Sequence, residues 1–315
     1  MGKKKQINIA CACDDRYSQH TGVMLCSLFE NCSDPKKVHV YLLDGGISEE
    51  NKKNLKIIVE NKGGKIYFKE PSFEKIANFD KINFGRYGKI AYSRIYLPKI
   101  LEGLNKIIWI DSDFIIKEDI QEINDIELRK SLGAVSEGTL IHKKHKVKLG
   151  LKKEKEYFNS GFLIIDLKRF REKRYSEKIS GFSIEKRDIV KYPDQDGLNV
   201  CLKDDWQRIS LKWNVFTMMY RPGFPETFLR FSKEKAKNIR ENPKAIHYTT
   251  HKPWDYSSYH PKKKEYWIYL KKTPWKNYKY PDKNIKEFIK KIKNIIIFYL
   301  PARLLREIKK IKRDW

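Results

Sequence analysis

The chain has 315 residues, enough for one large domain or two modest ones. A 40% hydrophobic content and 41 aromatic residues exclude a disordered polar chain, and no run reaches the ~20 apolar residues that span a bilayer. The net charge of +27 calls for an anionic partner: nucleic acid, an anionic membrane or a phosphorylated substrate.

Met1-Gly-Lys-Lys-Lys has the look of a signal-peptide start. The apolar run behind it, Ile7–Cys13, is short, broken by Asn8 and closed by Asp14-Asp15, so it reads as a first strand. Gly22–Asn31 follows as a helix, Val38–Leu43 as a strand, and Ser48–Asn61 as a helix with a Ser cap and two acids in its first turn. Gly63-Gly64 ends that helix, and Lys65–Lys69 makes another strand. Tyr92–Leu97 reads as helical up to Pro98, before a strand at 106–110. This alternation predicts an α/β fold with a mostly parallel central sheet and flanking helices. Further on, Leu132–Ser136, Phe162–Ile165 and Ala245–Tyr248 read as strands, and Asp194–Leu202 as a short helix.

Cys11, Cys13, Cys26, Cys32 and Cys201 are odd in number, three of them lie in apolar runs, and none has metal-type spacing to a histidine. That usage fits free thiols in a reduced, cytosolic protein. There is no internal repeat and no Gly/Ser linker. Neither G-x-G-x-x-G nor G-x-x-x-x-G-K-[ST] occurs, which argues against a dinucleotide oxidoreductase or a P-loop NTPase.

The stretch Lys106-Ile-Ile-Trp-Ile-Asp-Ser-Asp113 organises the chain. Its unbroken apolar run predicts a strand buried on both faces, with Asp111 and Asp113 at its carboxyl end, where ligands of open α/β sheets bind. Two neighbouring carboxylates offer hard oxygens to Mg²⁺ or Mn²⁺; they are also ordinary turn residues. From residue 252 onward the composition shifts to 19 Lys/Arg against 6 Asp/Glu, with 13 aromatics. Within it Ile285, Phe288, Ile289, Ile292, Ile295, Ile296 and Tyr299 recur at helical spacing opposite Lys286, Lys290, Lys291 and Lys293. After Pro301 the pattern resumes with Leu304, Leu305, Ile308 and Ile311. Such a helix lies in an anionic membrane interface, or docks on the domain with its basic face in water.

Six stretches in order carry a resemblance. They are Ile7–Cys13 with Asp14-Asp15-Arg16-Tyr17, Tyr92-Ser93-Arg94, Trp109–Asp113, Tyr157–Phe162, Asp194-Gln195-Asp196, and His247-Tyr248 with Lys252-Pro253-Trp254. Over about residues 6–256 the chain resembles the family 8 retaining glycosyltransferases, especially bacterial galactosyl- and glucosyltransferases of lipopolysaccharide and lipooligosaccharide cores. The resemblance implies a GT-A nucleotide-sugar-binding fold over residues 1–256, followed by a basic, aromatic, helical extension over 257–315. It implies a UDP-galactose or UDP-glucose donor, a glycolipid or oligosaccharide acceptor, and Mn²⁺, or Mg²⁺, held by Asp111, Asp113 and His247. Ala12 and Asp14 would meet the uracil. Arg94, Ser112, Asn159 and Asp194 would line the donor, Lys252 would meet the diphosphate, and Gln195 would lie beside the anomeric carbon. As an amide, Gln195 is a poor nucleophile, which favours attack from the leaving-group side. The family commonly has a Gly and six positions between the metal histidine and the lysine; His247–Lys252 has five and no Gly.

These readings place the protein in the cytoplasm, peripheral at the inner face of the cytoplasmic membrane, with residues 283–315 on anionic lipid. A self-glycosylating, glycan-priming enzyme of the same family is the alternative, given 18 tyrosines. A phosphohydrolase of the haloacid dehalogenase type would carry D-x-D-x-[TV] near its first strand, not at 111–113. A nucleic-acid binder would account for the charge but leave the ordered acidic and histidine motifs idle, so no nucleic-acid partner is expected.

Overall fold

The computed structural model describes residues 6–71, 73, 79–82, 84, 88–138 and 143–300. The expected apolar positions Leu304, Leu305, Ile308 and Ile311 lie outside the described residues.

Seven strands form the main sheet: Ile7–Cys13 (β1), Val38–Asp44 (β2), Lys65–Lys69 (β3), Lys106–Ile110 (β4), Leu132–Ser136 (β6), Phe158–Asp166 (β7) and Trp206–Arg208 (β8). Phe114–Ile116 (β5), Val215–Phe216 (β9) and Ala245–His247 (β10) make a second, small sheet. The large sheet runs β3-β2-β1-β4-β7-β6-β8. Its first four strands are parallel; β7 is antiparallel to β4 and β6, and β8 is parallel to β6. The sheet is therefore mixed, with the parallel half at the amino-terminal end as expected.

Strand β4 shows why the central run is apolar throughout. Ile108 and Ile110 face one core together with Ile9, Cys11, Val40 and Leu42, whereas Ile107 and Trp109 face the opposite core with Ala10 and Leu43. Side chains alternate along a strand, so a sheet covered on both faces needs apolar residues at every position. One face is covered by helices Ser18–Glu30 (α1) and Glu49–Glu60 (α2) and by the small sheet. The other carries the turns of residues 88–100, then Tyr175–Glu185 (α3) and Pro193–Cys201 (α4).

Helix α1 starts four residues before the predicted Gly22. Asp14 caps a 3-10 turn over Asp15–Tyr17, accepting from the Tyr17 N–H at 3.0 Å, and that turn runs straight into the helix. Ser48 caps α2 as its sequence suggested, accepting from the Asn51 N–H. Pro98 opens the helical turn Leu97–Ile100 rather than closing the preceding one, because a missing N–H costs nothing in a first turn. Strand β7 extends four residues upstream of the predicted Phe162, through a bulge. Ala134 of β6 pairs with Leu163, but its neighbour Val135 pairs with Asn159, which leaves Ser160–Phe162 outside the β6 ladder.

Beyond Lys233–Glu241 (α5), the chain returns to α1. Helix Lys263–Leu270 (α6) places Tyr266, Tyr269 and Leu270 in the same core as α1, and the His20 ring stacks on Trp254 at 3.6 Å. The last described helix, Ile285–Tyr299 (α7), docks through one stripe only. Phe298 is buried against Tyr259, Asn294 donates to the Ser257 carbonyl, and Lys291 lies over Tyr256. Its other face leaves Ile285, Phe288, Ile289, Ile292, Ile296 and Tyr299 exposed, Ile285 by 79%.

Candidate active site

Asp111-Ser112-Asp113 is the turn by which the chain leaves β4 of the large sheet and enters β5 of the small one. Backbone bonds fasten it on both sides: the Asp111 N–H donates to Gly161 O at 2.9 Å, and the Tyr248 N–H donates to Asp113 O at 3.0 Å. Ser112 locks the middle, its hydroxyl donating to Ala12 O at 3.0 Å and meeting the Thr21 hydroxyl at 2.7 Å. His247 ends β10 directly opposite Phe114 of β5, and the two rings stack at 4.1 Å. Residues 133 positions apart are thereby brought into register by the small sheet. One ligand atom each from Asp111, Asp113 and His247 lie within 4.8 Å of one another.

Arg94 organises the other side. It is 4% exposed; its guanidinium lies over the Trp109 ring and reaches Asp111 at 2.8 Å, Asp194 at 3.2 Å and the Ser160 carbonyl at 2.5 Å. Ser160, freed from β6 by the bulge, is held from α4: its N–H donates to Gln195 Oε1 at 3.0 Å, and its hydroxyl to Asp194 at 2.8 Å. A helix start, a strand bulge and a strand end so converge on one cationic fork. Gly161 is needed for this convergence, since a Cβ there would stand 2.6 Å from His247 Cε1 and 3.1 Å from Asp111 Oδ2.

The two acids of the turn differ in environment. Burial and the like charge of Asp113 push the Asp111 carboxyl above its ordinary range, against the pull of Arg94. Burial also works against Asp113, but the Lys252 ammonium outweighs it and holds that carboxyl well below its usual range. Lys252 is bonded to Asp113 and donates to the Tyr248 carbonyl at 2.6 Å. The loop that lacks the expected Gly still makes a left-handed turn, at His251 with φ +53°, a conformation that costs a non-glycine about 1 kcal/mol. The His251 ring packs on Tyr259 at 4.0 Å.

Of the residues singled out from sequence, Arg94, Asp111, Asp113, Asn159, Asp194, Gln195, His247 and Lys252 are gathered here. Ala12 lies at the adjoining end of β1, and Ser112, in the turn after β4, uses its hydroxyl to fasten that turn to Ala12. Asp14 lies beyond them; it is both the cap described above and paired with Arg16 at 3.1 Å. Three participants were not anticipated. Ser160 was only part of a motif, while Asn214 and Glu137 had no sequence signal. Asn214 Oδ1 meets His247 Nδ1 at 2.9 Å, and Glu137 accepts from Asn159 at 2.8 Å.

The donor set suits a hard divalent cation: two carboxylates and one imidazole. Asp113 Oδ1 is buried with no hydrogen-bond partner among the described residues and lies 3.3 Å from His247 Nε2. Among the described residues, three carboxylates, Asp111, Asp113 and Asp194, meet two basic side chains, Arg94 and Lys252, in this cluster. An orphaned carboxylate oxygen and an excess of acid are what a cation would satisfy.

The family model "Glycosyl transferase family 8" matches residues 8–258. General stress protein A of Bacillus subtilis is 32% identical over 281 residues, 87% of this chain and 96% of that protein. The lipopolysaccharide 1,2-glucosyltransferase of Escherichia coli K12 is 29% identical, over 67% of this chain and 63% of that enzyme's length. Among solved structures, the galactosyltransferase LgtC in complex with donor and acceptor sugar analogs superposes with a TM-score of 0.73 at 23% identity. The match covers 85% of this chain and 96% of that one. The fold is thus the GT-A type, a mixed sheet with flanking helices.

Proposed function

The chain belongs to glycosyl transferase family 8, and on that premise we propose that it moves glucose or galactose, with retention, from a UDP-sugar to a glycan acceptor of the lipopolysaccharide or lipooligosaccharide core kind. The observation that carries the reading is the convergence of Asp111, Asp113, His247, Arg94, Asp194 and Gln195 at the carboxyl end of β4 and the amino end of β7. Asp111, Asp113 and His247 would hold Mn²⁺ or Mg²⁺, which supplies positive charge to a diphosphate leaving group. Lys252 would add a point charge on the same side, with Ala12, Asp14 and Ser112 toward the nucleotide. Asp194, Arg94 and Asn159 would orient the sugar.

Gln195 is held as a hydrogen-bonding group, its carbonyl oxygen accepting from the Ser160 N–H at 3.0 Å and lying 3.4 Å from the Ser160 hydroxyl. This supports front-face attack, with the departing phosphate helping to deprotonate the acceptor. Gln195→Ala should lower turnover by roughly 10-fold, the worth of one or two neutral hydrogen bonds, in a steady-state assay. Complete loss in a folded variant would restore a covalent role.

Residues 1–256 would form the catalytic part and 257–315 the extension that seats it on an anionic membrane, peripheral at its cytoplasmic face. The apolar stripe of α7 supports this, because the helix docks by Asn294 and Phe298 and leaves Ile285, Ile289, Ile292 and Ile296 uncovered. Among the described residues, no helix is long and apolar enough to cross a membrane.

Calorimetric titration with UDP-glucose and UDP-galactose, with and without Mn²⁺, tests the proposal. Mn²⁺-dependent binding of one donor is expected and would name the sugar. Failure of well-folded protein to bind either donor would overturn it.

A further inference from the structure

With a divalent cation at Asp111, Asp113 and His247 taken from the proposed function, we infer that Glu137 is a positioning residue that sets the tautomer of His247 from three side chains away. Four buried side chains form an unbroken relay. Glu137 Oε1 accepts from Asn159 Nδ2 at 2.8 Å, Asn159 Oδ1 accepts from Asn214 Nδ2 at 2.9 Å, and Asn214 Oδ1 meets His247 Nδ1 at 2.9 Å. Their exposures run from 0% for Asn214 to 7% for Glu137, so no member is open to bulk water.

The direction of the relay is fixed at two points. A backbone N–H can only donate, and that of Gly161 points at Asn159 Oδ1 at 2.9 Å, which favours this orientation of the Asn159 amide without fixing it alone. A carboxylate accepts, so Glu137 also demands the amino end of Asn159. With Asn159 oriented, Asn214 must present its amino group to Asn159 and therefore its carbonyl to His247. The imidazole then carries its proton on Nδ1, and Nε2 keeps a lone pair. That lone pair faces Asp113 Oδ1 across 3.3 Å, and the carboxylate oxygen has no donor among the described residues. Two acceptors held face to face are unfavourable alone and become paired ligands once a cation joins them.

Sheet geometry brings the relay together. Glu137 follows β6, Asn159 opens the β7 bulge, Asn214 precedes β9 and His247 ends β10. The relay therefore ties β6 and β7 of the large sheet to the small sheet across the site, and it leaves Asn159 less amide capacity for a donor sugar than its sequence position suggested.

Long-range ¹H–¹⁵N NMR on metal-free protein, at a pH where histidines are neutral, reads the tautomer directly. His247 is assigned by the signal lost in His247→Gln. Mn²⁺ alone, followed by loss of its free-ion EPR signal, gives affinity. Wild type should show the Nδ1–H form. Glu137→Ala should give a tautomer mixture and roughly 10-fold weaker Mn²⁺ binding, while Glu137→Gln, which still accepts, should keep both. A wild-type Nε2–H tautomer would overturn the inference even if Glu137→Ala failed to fold, as would an unchanged tautomer in folded Glu137→Ala. An Nδ1–H tautomer that responds to Glu137→Ala, in a protein that binds no Mn²⁺, would uphold the relay and sink the cation reading instead.

Discussion

Asp113→Asn is expected to abolish detectable Mn²⁺ binding and to lower turnover by about 10³-fold, the upper range for losing one strong electrostatic contact in a closed site. The substitution keeps the shape of the turn, whose backbone is held by Tyr248 N–H and by Ser112. What it removes is the carboxylate whose Oδ1 faces His247 and whose Oδ2 holds Lys252. Some stability is lost too, about 2 kcal/mol, since Lys252 would keep a largely buried ammonium without its partner. The double variant Asp113→Asn with Lys252→Met separates the two effects. Chemical denaturation should show its stability recovered, whereas EPR with Mn²⁺ should show binding still absent. Recovery of Mn²⁺ binding in the double variant would mean that Asp113 only neutralises Lys252.

Arg94→Met should cost about 3–5 kcal/mol in urea denaturation, the penalty for deleting one partner of a buried ionic cluster. The guanidinium serves Asp111, Asp194 and the carbonyls of Ala91 and Ser160 at once. Without it, Asp111 and Asp194 would face each other's charge in a water-poor site, and α4 would lose its tie to β4. Arg94→Lys should fall between, because an ammonium supplies charge but cannot bridge four acceptors with a planar fork. A loss below about 1 kcal/mol for Arg94→Met, within the range of a surface ion pair, would show that the cluster is solvated. Donor affinity in the Lys variant then tells whether orientation or charge matters more.

Several parts of this site were legible before any coordinates. The run Ile107–Ile110 ending in two acids announces a doubly covered strand with a polar end, since only such a strand wants apolar residues at every position. The same holds for Ile7–Cys13 and for α2 with its Ser48 cap, where local chemistry dictates the element. Elements below that threshold were missed. Strands β5 and β9 have three and two residues, too few to show a period, yet they decide which side chains meet His247. Glu137 and Asn214 look like ordinary loop polar residues in the sequence.

By itself, then, the sequence determined the α/β architecture, the acidic end of β4 and the family, because periodicity, caps and ordered motifs are local properties of the chain. Tertiary structure alone decided how the site is wired. The β7 bulge frees Ser160 and Gly161, the small sheet carries His247 to the acids, and Asn159 and Asn214 orient its imidazole. Tertiary structure also decided which stripe of α7 docks and which stays bare. The reason is physical: hydrogen-bond direction, burial and charge balance depend on groups far apart in the chain, and only packing fixes their distances.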